Sequence, residues 1–399
     1  MRKKRQQIIK YVVTDFIMAS VAWMLFYTFR RLYIEPRSLG YHVPLDAEKK
    51  LILGMVIIPL FWILVYYLSG YYRDIFRKSR LKDIGQTFMQ SAGGIIVVFF
   101  LLILDDVIES YHDYYQLFAM YLFLHFTCTV IPRFIYTSVS VHRIKKGLIS
   151  FNTLIIGNSK KSLEFSSEIN NHNKKTGNKL TGFVFTEPQD QYTEDEGVPV
   201  LGSLDTIRDI LWENKIHEII IALEPAEQHS LGDILNKLAM FDVIIKVIPG
   251  MNDILLGKVQ MPDIFSAPLI QVTHDLMPVW QENFKQLSDI IISILVLILT
   301  SPLILILAIG IKLSSPGPVI HRQERVGRYG KIFKICKFRS MYMDAEKNGP
   351  ELSCKDDTRL THIGRFMRKY RLDEIANFIN VVKGEMSIVG PRPERKFFI

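Results

Sequence analysis

The sequence predicts a membrane protein with four N-terminal transmembrane helices, a central α/β domain, and a C-terminal monotopic, α-rich domain with one re-entrant membrane helix. Three observations support this fold class. Four apolar stretches precede residue 140, short apolar runs alternate with helical patterns in the middle, and another apolar segment is broken at Ser301 and Pro302. The predicted boundaries are 1–148, 149–270 and 280–399.

The four N-terminal apolar stretches are each near the roughly 20 residues that a helix needs to cross hydrocarbon. They are Val12–Phe29, Leu51–Leu68, Phe88–Leu104 and Leu117–Tyr136. A chain of 399 residues with 49% hydrophobic content fits several membrane segments better than one soluble core. The first stretch follows a basic N-terminus but lacks a small-residue cleavage site, so we expect it to be retained.

Basic residues predict the orientation of these helices, because loops rich in Lys and Arg stay in the cytoplasm. Basic residues lie between the second and third stretches and after the fourth. The acidic segment DDVIES lies between the third and fourth. The N-terminus and everything after Ser150 should therefore be cytoplasmic. The first loop fits less well, since it carries five basic residues that acidic ones offset only in part.

The net charge of +9 comes from cations that cluster beside apolar segments, and the sequence has no nucleic-acid-binding motif. Anionic membrane lipid is therefore the predicted partner, and nucleic acid is not. The three cysteines, Cys128, Cys336 and Cys354, are far apart and lack metal-ligand spacing. We expect reduced, structural thiols.

The central region alternates between β-like runs and helical stretches, which predicts a parallel α/β layer. The β-like runs are NTLIIG, LTGFVF, EIIIAL and VIIKVIP, and the helical stretches include SLEFSSEI and LGDILNKLAM. Gly157 after the first run could open a phosphate turn, but the further glycines of a dinucleotide fingerprint are absent. The interpretation is a Rossmann-like domain used for regulation or assembly, with nucleotide binding as the alternative and its ligand open.

The apolar segment from Leu287 to Leu313 is long enough to cross the bilayer once. Pro302 removes a backbone donor, and Ser301 can satisfy a freed carbonyl, so a helix-break-helix over 285–313 is physically reasonable. The alternative is a kinked full span. A fifth crossing would separate the following basic segment from the cytoplasm, which favours the re-entrant helix.

A basic run closed by carboxylates follows this segment, from His321 to Glu346. Cations in such a run can neutralise phosphate oxygens, while Asp344 and Glu346 can bind a divalent cation or act as nucleophile and base. The cations are Arg322, Arg325, Arg328, Lys337 and Arg339. Alternating charged and apolar residues around Tyr329 predict a β-hairpin. A solvated surface is the alternative, but the nearby membrane segment points to a lipid phosphate.

Six motifs in one order resemble a known family. They are SPGPV, QERVGRYGKIF, KFRSM, DAE, RLDE and GEMSIVGPRPE. The chain resembles the long bacterial polyprenyl-phosphate sugar-1-phosphate transferases. The resemblance implies transfer of a sugar-1-phosphate from a nucleotide sugar, expected to be a UDP-hexose, to undecaprenyl phosphate, with release of nucleoside monophosphate. That reaction starts exopolysaccharide, capsule or O-antigen synthesis at the cytoplasmic face of the bacterial inner membrane.

The resemblance also assigns site residues. Asp344 is the expected nucleophile of a covalent phosphosugar intermediate, Glu346 its acidic partner, and Mg²⁺ the ion that both would bind. Arg325, Lys337, Arg339 and Arg392 are expected to bind substrate phosphate, and Glu394 is a weaker candidate for that role. Ser301 and Pro302 are expected to form the membrane break. The family commonly has adjacent Asp and Glu, whereas Ala345 separates them here. Ile375 to Asn377 also departs from the family's LPQ.

Two other functions remain open at this stage. A membrane-bound nucleotide-sugar dehydratase would need an intact glycine fingerprint and a catalytic Tyr-x-x-x-Lys, which the central domain lacks. A non-enzymatic scaffold on anionic lipid would leave Asp344 dispensable. Family members continue beyond the last motif, so the chain ending at Ile399 is expected to be C-terminally incomplete. The sugar, the nucleotide base, the polyprenol length and a homo-oligomeric state stay open.

Overall fold

The structure is a computed structural model of the 399-residue chain. It describes residues 2–39, 49–103, 111–157, 162, 165–167, 177–186, 198–223, 230–249, 269–272, 277–343, 345, 357–395 and 397. The chain divides into two compact units. The first comprises Met1–His229 and Val243–Asn283, and the second comprises Ser230–Asp242 and Phe284–Ile399.

Within the described residues, four N-terminal helices are long and apolar enough to cross a membrane. They are α1 (Arg2–Phe29), α2 (Lys49–Leu68), α3 (Arg80–Val98) and α4 (Tyr111–Lys145). A π-helical turn, Arg30–Ile34, and a short helix, Glu35–Leu39, prolong α1, and a π-helical turn, Phe99–Ile103, prolongs α3. The four predicted helices are confirmed, although α1, α3 and α4 begin before their apolar stretches.

Aromatic side chains fill the interior of this helix group. Trp62 stacks on His125 with ring centroids 3.7 Å apart, and its indole N–H donates to the Tyr121 hydroxyl over 3.1 Å. Gly94 lies against this indole, where an added Cβ would come within 2.4 Å of a ring carbon. Small residues that let large rings approach a helix backbone are typical of packing between membrane helices.

A buried ion pair joins α1 to α4. Arg133 is 1% exposed, and it donates from Nε and Nη2 to the two carboxylate oxygens of Asp15 over 3.0 and 2.8 Å. Its Nη1 donates to Thr87 of α3 over 3.1 Å. The guanidinium also lies 4.0 Å from the ring centroid of Tyr66 and 3.8 Å from that of Tyr71. Because a buried charge needs full compensation, this cluster specifies which helices meet.

The loop between α2 and α3 is tied both to the helices and to the α/β sheet of the same unit. The Tyr72 hydroxyl donates to Asp15 over 2.8 Å, and the Tyr71 hydroxyl donates to Asp83 over 2.6 Å. Farther along the loop, Arg77 pairs with the buried carboxylate of Glu218 over 2.6 Å. The loop therefore connects the membrane helices to the sheet.

Within the described residues, the central region forms a six-stranded sheet in the order β3-β2-β1-β4-β5-β6. Its strands are β1 (Phe151–Ile156), β2 (Asn178–Phe185), β3 (Val200–Ser203), β4 (Glu218–Ile221), β5 (Ile244–Val247) and β6 (Ile270–Val272). The first five strands are parallel and β6 pairs antiparallel with β5. Helix α5 (Ile207–Glu213) precedes β4. The parallel α/β prediction is confirmed, while β3, β6 and α5 were not predicted.

Gly157 has a structural reason to be glycine. Its φ is 135°, and a Cβ there would approach the carbonyl oxygen of Ala222 within 2.2 Å. The backbone at the end of β1 is therefore pressed against the chain that follows β4, which only glycine permits. The rest of the GNSKKS turn, residues 158–161, lies outside the described residues, so its proposed use for nucleotide phosphate stays untested.

The second unit contains α6 (Leu231–Leu238), α7 (Val279–Leu299, from Phe284 onward), α8 (Ser301–Ser314), α9 (His362–Lys369) and α10 (Asn377–Val382). An antiparallel hairpin of β7 (Ile320–Val326) and β8 (Ile332–Phe338) lies between α8 and α9. Its turn contains Tyr329 at φ 58° and Gly330 at φ 69°. The predicted hairpin is confirmed. Its β8 side chains Cys336 and Phe338 pack with Leu307 and Met367 in the core of this unit.

We expect Arg133→Met to destabilise the protein strongly, because it leaves the Asp15 carboxylate buried without its cation. The cost of breaking a buried pair is roughly 3 to 5 kcal/mol. Arg143→Met, an exposed position on the same helix, is the matched control. Thermal unfolding in detergent should show a lower midpoint for Arg133→Met alone. Equal midpoints for the two variants would contradict the structural role of the pair.

Candidate functional site

The two apolar helices of the C-terminal region meet at a bend of 63°. Thr300 occupies the break, and its hydroxyl donates to the carbonyl of Val296 over 2.7 Å. Pro302 lies in the first turn of α8. Backbone N–H groups there have no helical acceptor, so the N–H that proline lacks costs no helical hydrogen bond. The break falls where the sequence predicted it, but the hydroxyl that bonds a carbonyl there is that of Thr300 rather than Ser301.

Arg339, at the end of β8, closes the C-terminal end of α8. It is 5% exposed, and its guanidinium donates to the carbonyls of Ser315, Pro316 and Ile311 over 2.7, 2.9 and 3.4 Å. Gly317 makes room for it, since a Cβ there would lie 2.1 Å from Arg339 Nη1. Carbonyls at a helix C-terminus lack helical partners, so a buried arginine satisfies them. This contact favours a structural role for Arg339.

The segment that leads to Asp344 is held against the segment that begins α9. Met341 bridges to Leu360, and the Thr361 N–H donates to the carbonyl of Ser340 over 3.0 Å. Gly364 packs so closely on this carbonyl that a Cβ would come within 1.9 Å of it. The chain therefore enters the DAE motif from an anchored backbone.

Asp344 and Glu346 themselves lie outside the described residues. Their described neighbours are Met343 and Ala345, and the Ala345 N–H donates to the Tyr342 carbonyl over 3.2 Å. The roles predicted for the two carboxylates remain predictions. Among the residues that the structure describes, no three or more His, Cys, Asp or Glu side chains come together as a metal site.

Lys337 and Arg392, two of the predicted phosphate ligands, act on the same carboxylate. Lys337 Nζ donates to Glu374 over 3.0 Å. Burial alone would raise the pKa of Glu374. The hydrogen bond and charge of Lys337, together with the charges of Arg392 and Arg371, lower this pKa by more, so its net shift is downward. Burial raises the pKa of the adjacent Asp373. Glu374 therefore stays ionised and pairs with Lys337.

Arg325, on β7, is bound to the turn that carries Arg392. Its Nη1 donates to the carbonyl of Pro393 over 3.1 Å, and its Nη2 to the side chain of Gln323 over 2.9 Å. The Val326 N–H donates to the carbonyl of Glu394 over 2.9 Å. Arg325 thus positions the GPRP turn through backbone contacts, while Arg392 itself is exposed at its tip.

Sequence reasoning missed several residues that build this site. Asp289 accepts hydrogen bonds from the turn before Arg392, and a carboxylate inside an apolar segment was a usable signal. Gly364 inside a helix was another, because such glycines often mark close packing. Asn380 is fully buried and bonds the backbone of β8 at Cys336 and Lys334, both over 2.8 Å. No sequence signal distinguishes Asn380 from an ordinary surface asparagine.

Comparison with known families supports the motif assignment. Residues 280–399 match the family described as bacterial sugar transferase. Residues 71–249 match a second family, described as CoA-binding domain. The resemblance seen in the six motifs is therefore confirmed for the C-terminal part of the chain.

Individual relatives carry transferase names. A UDP-glucose:undecaprenyl-phosphate glucose-1-phosphate transferase of Xanthomonas campestris is 35% identical over 55% of this chain and 46% of its own length. A UDP-N-acetylgalactosamine-undecaprenyl-phosphate N-acetylgalactosaminephosphotransferase of Aeromonas hydrophila is 37% identical over 41% and 38%. An undecaprenyl-phosphate galactose phosphotransferase of Salmonella typhimurium is 29% identical over 86% and 72%. The chain thus spans less than half of the first two.

We expect Arg339→Met to destabilise the C-terminal unit, because the carbonyls of Ser315 and Pro316, directly after α8, lose their donor. A buried polar group left unsatisfied costs roughly 1 to 3 kcal/mol. Arg322→Met, an exposed position on β7, is the matched control. Limited proteolysis should cleave Arg339→Met faster near residues 311–319 than either the parent or the control. Equal cleavage rates would contradict the capping role.

Proposed function

We propose, from the match of residues 280–399 to the bacterial sugar transferase family, that this protein transfers a sugar-1-phosphate from a nucleotide diphosphate sugar to a polyprenyl phosphate. The observation that carries the proposal is the placement of the family's motifs in the second unit. Lys337, Glu374 and Arg392 form one charged group, and the chain runs from β8 into the DAE motif. A bent pair of apolar helices completes the same unit.

Asp344 is the proposed nucleophile. Its carboxylate attacks the sugar-linked phosphorus of the nucleotide sugar, a P–O bond forms, and the pyrophosphate P–O bond breaks to release nucleoside monophosphate. An oxygen of polyprenyl phosphate then attacks the same phosphorus, and the Asp344 carboxylate leaves. The phosphosugar is thereby transferred in two displacements, with no net change at Asp344.

Lys337 and Arg392 are the proposed phosphate ligands among the described cations. Lys337 is held by its bond to Glu374 over 3.0 Å, and the charge of Arg392 acts on the same carboxylate. Preorganised cations stabilise the charge that develops on phosphate oxygens without further rearrangement. Arg325 and Arg339, also expected to bind phosphate, instead donate to backbone carbonyls. We assign these two arginines to holding the turn and the helix end.

Asp344 and Glu346 are the proposed Mg²⁺ ligands. Carboxylate oxygens are the donors that Mg²⁺ prefers, and substrate phosphates usually complete its coordination. When bound, the ion would reduce the repulsion between an anionic carboxylate and an anionic phosphate. Glu374 is a less suitable ligand because Lys337 already occupies one of its oxygens.

The bent helices are proposed to enter and leave the membrane on one face. α8 has 14 residues, about 21 Å at 1.5 Å per residue. If both helices share the 63° bend equally, each runs about 30° from the membrane plane and the apex lies about 11 Å deep. That depth fits one leaflet of a hydrocarbon core about 30 Å thick.

Exposed apolar side chains on both helices support insertion. They include Ile291, Leu295, Leu299, Leu305, Ile306 and Leu313. Such an apolar surface is large for a helix pair in water. Asp344 follows Arg339, the residue that closes α8, by only five positions in the sequence. A lipid phosphate at the headgroup level is thus within reach of the proposed nucleophile.

The proposed location is the bacterial inner membrane, with both the central domain and the catalytic segment in the cytoplasm, where nucleotide sugars occur. The relatives are named for glucose, galactose and N-acetylgalactosamine. We therefore propose a UDP-hexose as donor and undecaprenyl phosphate as acceptor, without choosing among the sugars.

The sheet order β3-β2-β1-β4-β5 is that of doubly wound folds, and we propose a Rossmann-like regulatory domain.

Asp344→Asn should abolish transfer while the protein stays membrane-bound, because the amide keeps the shape but loses the nucleophilic charge. Asp209→Asn, an exposed aspartate on α5, should retain activity. The assay is release of UMP from a panel of UDP-sugars with undecaprenyl phosphate, and mass spectrometry should find a phosphosugar adduct on the parent and on the control but not on Asp344→Asn. Substantial turnover by the asparagine variant, free of other transferases, would remove Asp344 from the mechanism.

Chelation of divalent cations should stop transfer, and added Mg²⁺ should restore it, because two carboxylates and the substrate phosphates repel one another without a cation. The protein should remain in the membrane fraction throughout. Undiminished transfer at negligible measured metal content would contradict the proposed ion.

Cysteines at exposed positions 284 and 313, on either side of the bend, should both react only when the cytoplasmic face is accessible. The experiment replaces Cys128, Cys336 and Cys354 first and tests sealed and opened vesicles with an impermeant maleimide. A cysteine in place of exposed Tyr111, at the start of α4, is the control for the outer face. Labelling of positions 284 and 313 from opposite faces would refute the re-entrant helix.

A further inference from the structure

The turn that carries Arg392 has little packing of its own. Val389 is 75% exposed, Pro391 and Arg392 are exposed, and no atom of the described residues lies within 4 Å of the position a Cβ would take on Gly390. A backbone with so few contacts would sample many conformations unless its ends were fixed. Two independent sets of contacts hold those ends.

The first set comes from the membrane helix α7. Asp289, 9% exposed, accepts a hydrogen bond from the Ser387 hydroxyl over 2.5 Å and another from the backbone N–H of Ile388. Lys285, one turn earlier on α7, pairs with Asp289 over 2.9 Å and also contacts the Ser387 hydroxyl. One carboxylate on α7 therefore binds two successive residues of the turn.

The second set comes from the hairpin. Arg325 donates to the carbonyl of Pro393 over 3.1 Å, and Val326 donates from its backbone to the carbonyl of Glu394 over 2.9 Å. Arg392 lies between the two sets, five residues after Ser387 and immediately before Pro393. Its position is thus fixed from both sides, by a membrane helix and by β7.

We propose that Asp289 is a positioning residue that fixes the 387–392 turn and so places Arg392 for the phosphate of the nucleotide sugar. The inference rests on the proposed function, and it deepens that function by connecting α7 directly to a phosphate ligand. A displacement of about 1 Å in a substrate-positioning group can cost on the order of 100-fold in rate. Asp289 itself need not touch substrate to have that effect.

The alternative is that Asp289 only satisfies Lys285 and stabilises α7. A carboxylate within an apolar helix needs partners in either case. The two roles differ in one respect: a positioning residue loses its effect on catalysis when Arg392 is absent, whereas a stabilising residue does not. A double-mutant cycle measures this difference directly.

The cycle compares the parent, Asp289→Asn, Arg392→Ala and the double variant in kcat/KM for the nucleotide sugar. We expect Asp289→Asn to lower kcat/KM at least tenfold in the parent but less than twofold when Arg392 is already alanine. Ser288→Ala, which removes a hydroxyl bond to the Lys285 carbonyl on the same helix, is the control and should act equally in both backgrounds. Equal losses from Asp289→Asn in both backgrounds would overturn the positioning role.

Hydrogen exchange of the full-length protein in detergent supplies a readout that needs no turnover. Amides of residues 387–392 should exchange at least tenfold faster in Asp289→Asn than in the parent, while amides of β7 and β8 stay protected. Ser387→Ala should give the same local increase, and it replaces Asp289→Asn if that variant does not fold. If the exchange rates of residues 387–392 are unchanged in both variants, the positioning role of Asp289 is wrong while the proposed function stands. If the parent is stable but has no transferase activity, the proposed function is wrong.

Discussion

A charged or unpaired polar group inside an apolar helix must find a partner, and both units of this protein depend on that constraint. In the first unit, Asp15 and Arg133 can be buried only where α1 and α4 meet, and the bond of Arg133 to Thr87 brings α3 to the same place. In the second unit, Asp289 on α7 obtains partners from the turn before Arg392. Polar groups that are costly in hydrocarbon thus determine which segments are neighbours.

The same constraint brings the proposed chemistry to the membrane helices. The carbonyls of Ser315 and Pro316, directly after α8, have no helical partners, and Arg339 satisfies them from the end of β8. Lys337 lies two residues earlier on the same strand, where it pairs with Glu374. A strand that closes an apolar helix at one residue and presents a cation two residues away keeps the charged group at the end of that helix.

Patterns within short windows of sequence predicted much of the fold. Apolar length identified the four N-terminal helices, and Tyr329 with Gly330 marked the hairpin. The strands β3 and β6 were missed because their residues, VLGS and IQV, lack the continuous apolar run that marked the equally short β4 and β5. The hydrogen bonds of Arg325 and Arg339 to backbone carbonyls could not be predicted from the sequence either, since their acceptors lie 68 and 24 positions away. A basic run shows that cations are present, but only the fold shows which of them remain available to a ligand.

The loop between α2 and α3 gives the proposed regulatory domain a physical route to the membrane helices. Its tyrosines 71 and 72 are bonded to carboxylates of α3 and α1, while Arg77 pairs with Glu218 at the start of β4. Glu218 is fully buried, and Lys246 of β5 pairs with its other oxygen over 2.6 Å. Removing Arg77 would leave that carboxylate with half of its compensation, so the contact resists separation. A ligand of the sheet could influence the helices by changing the stability of this connection.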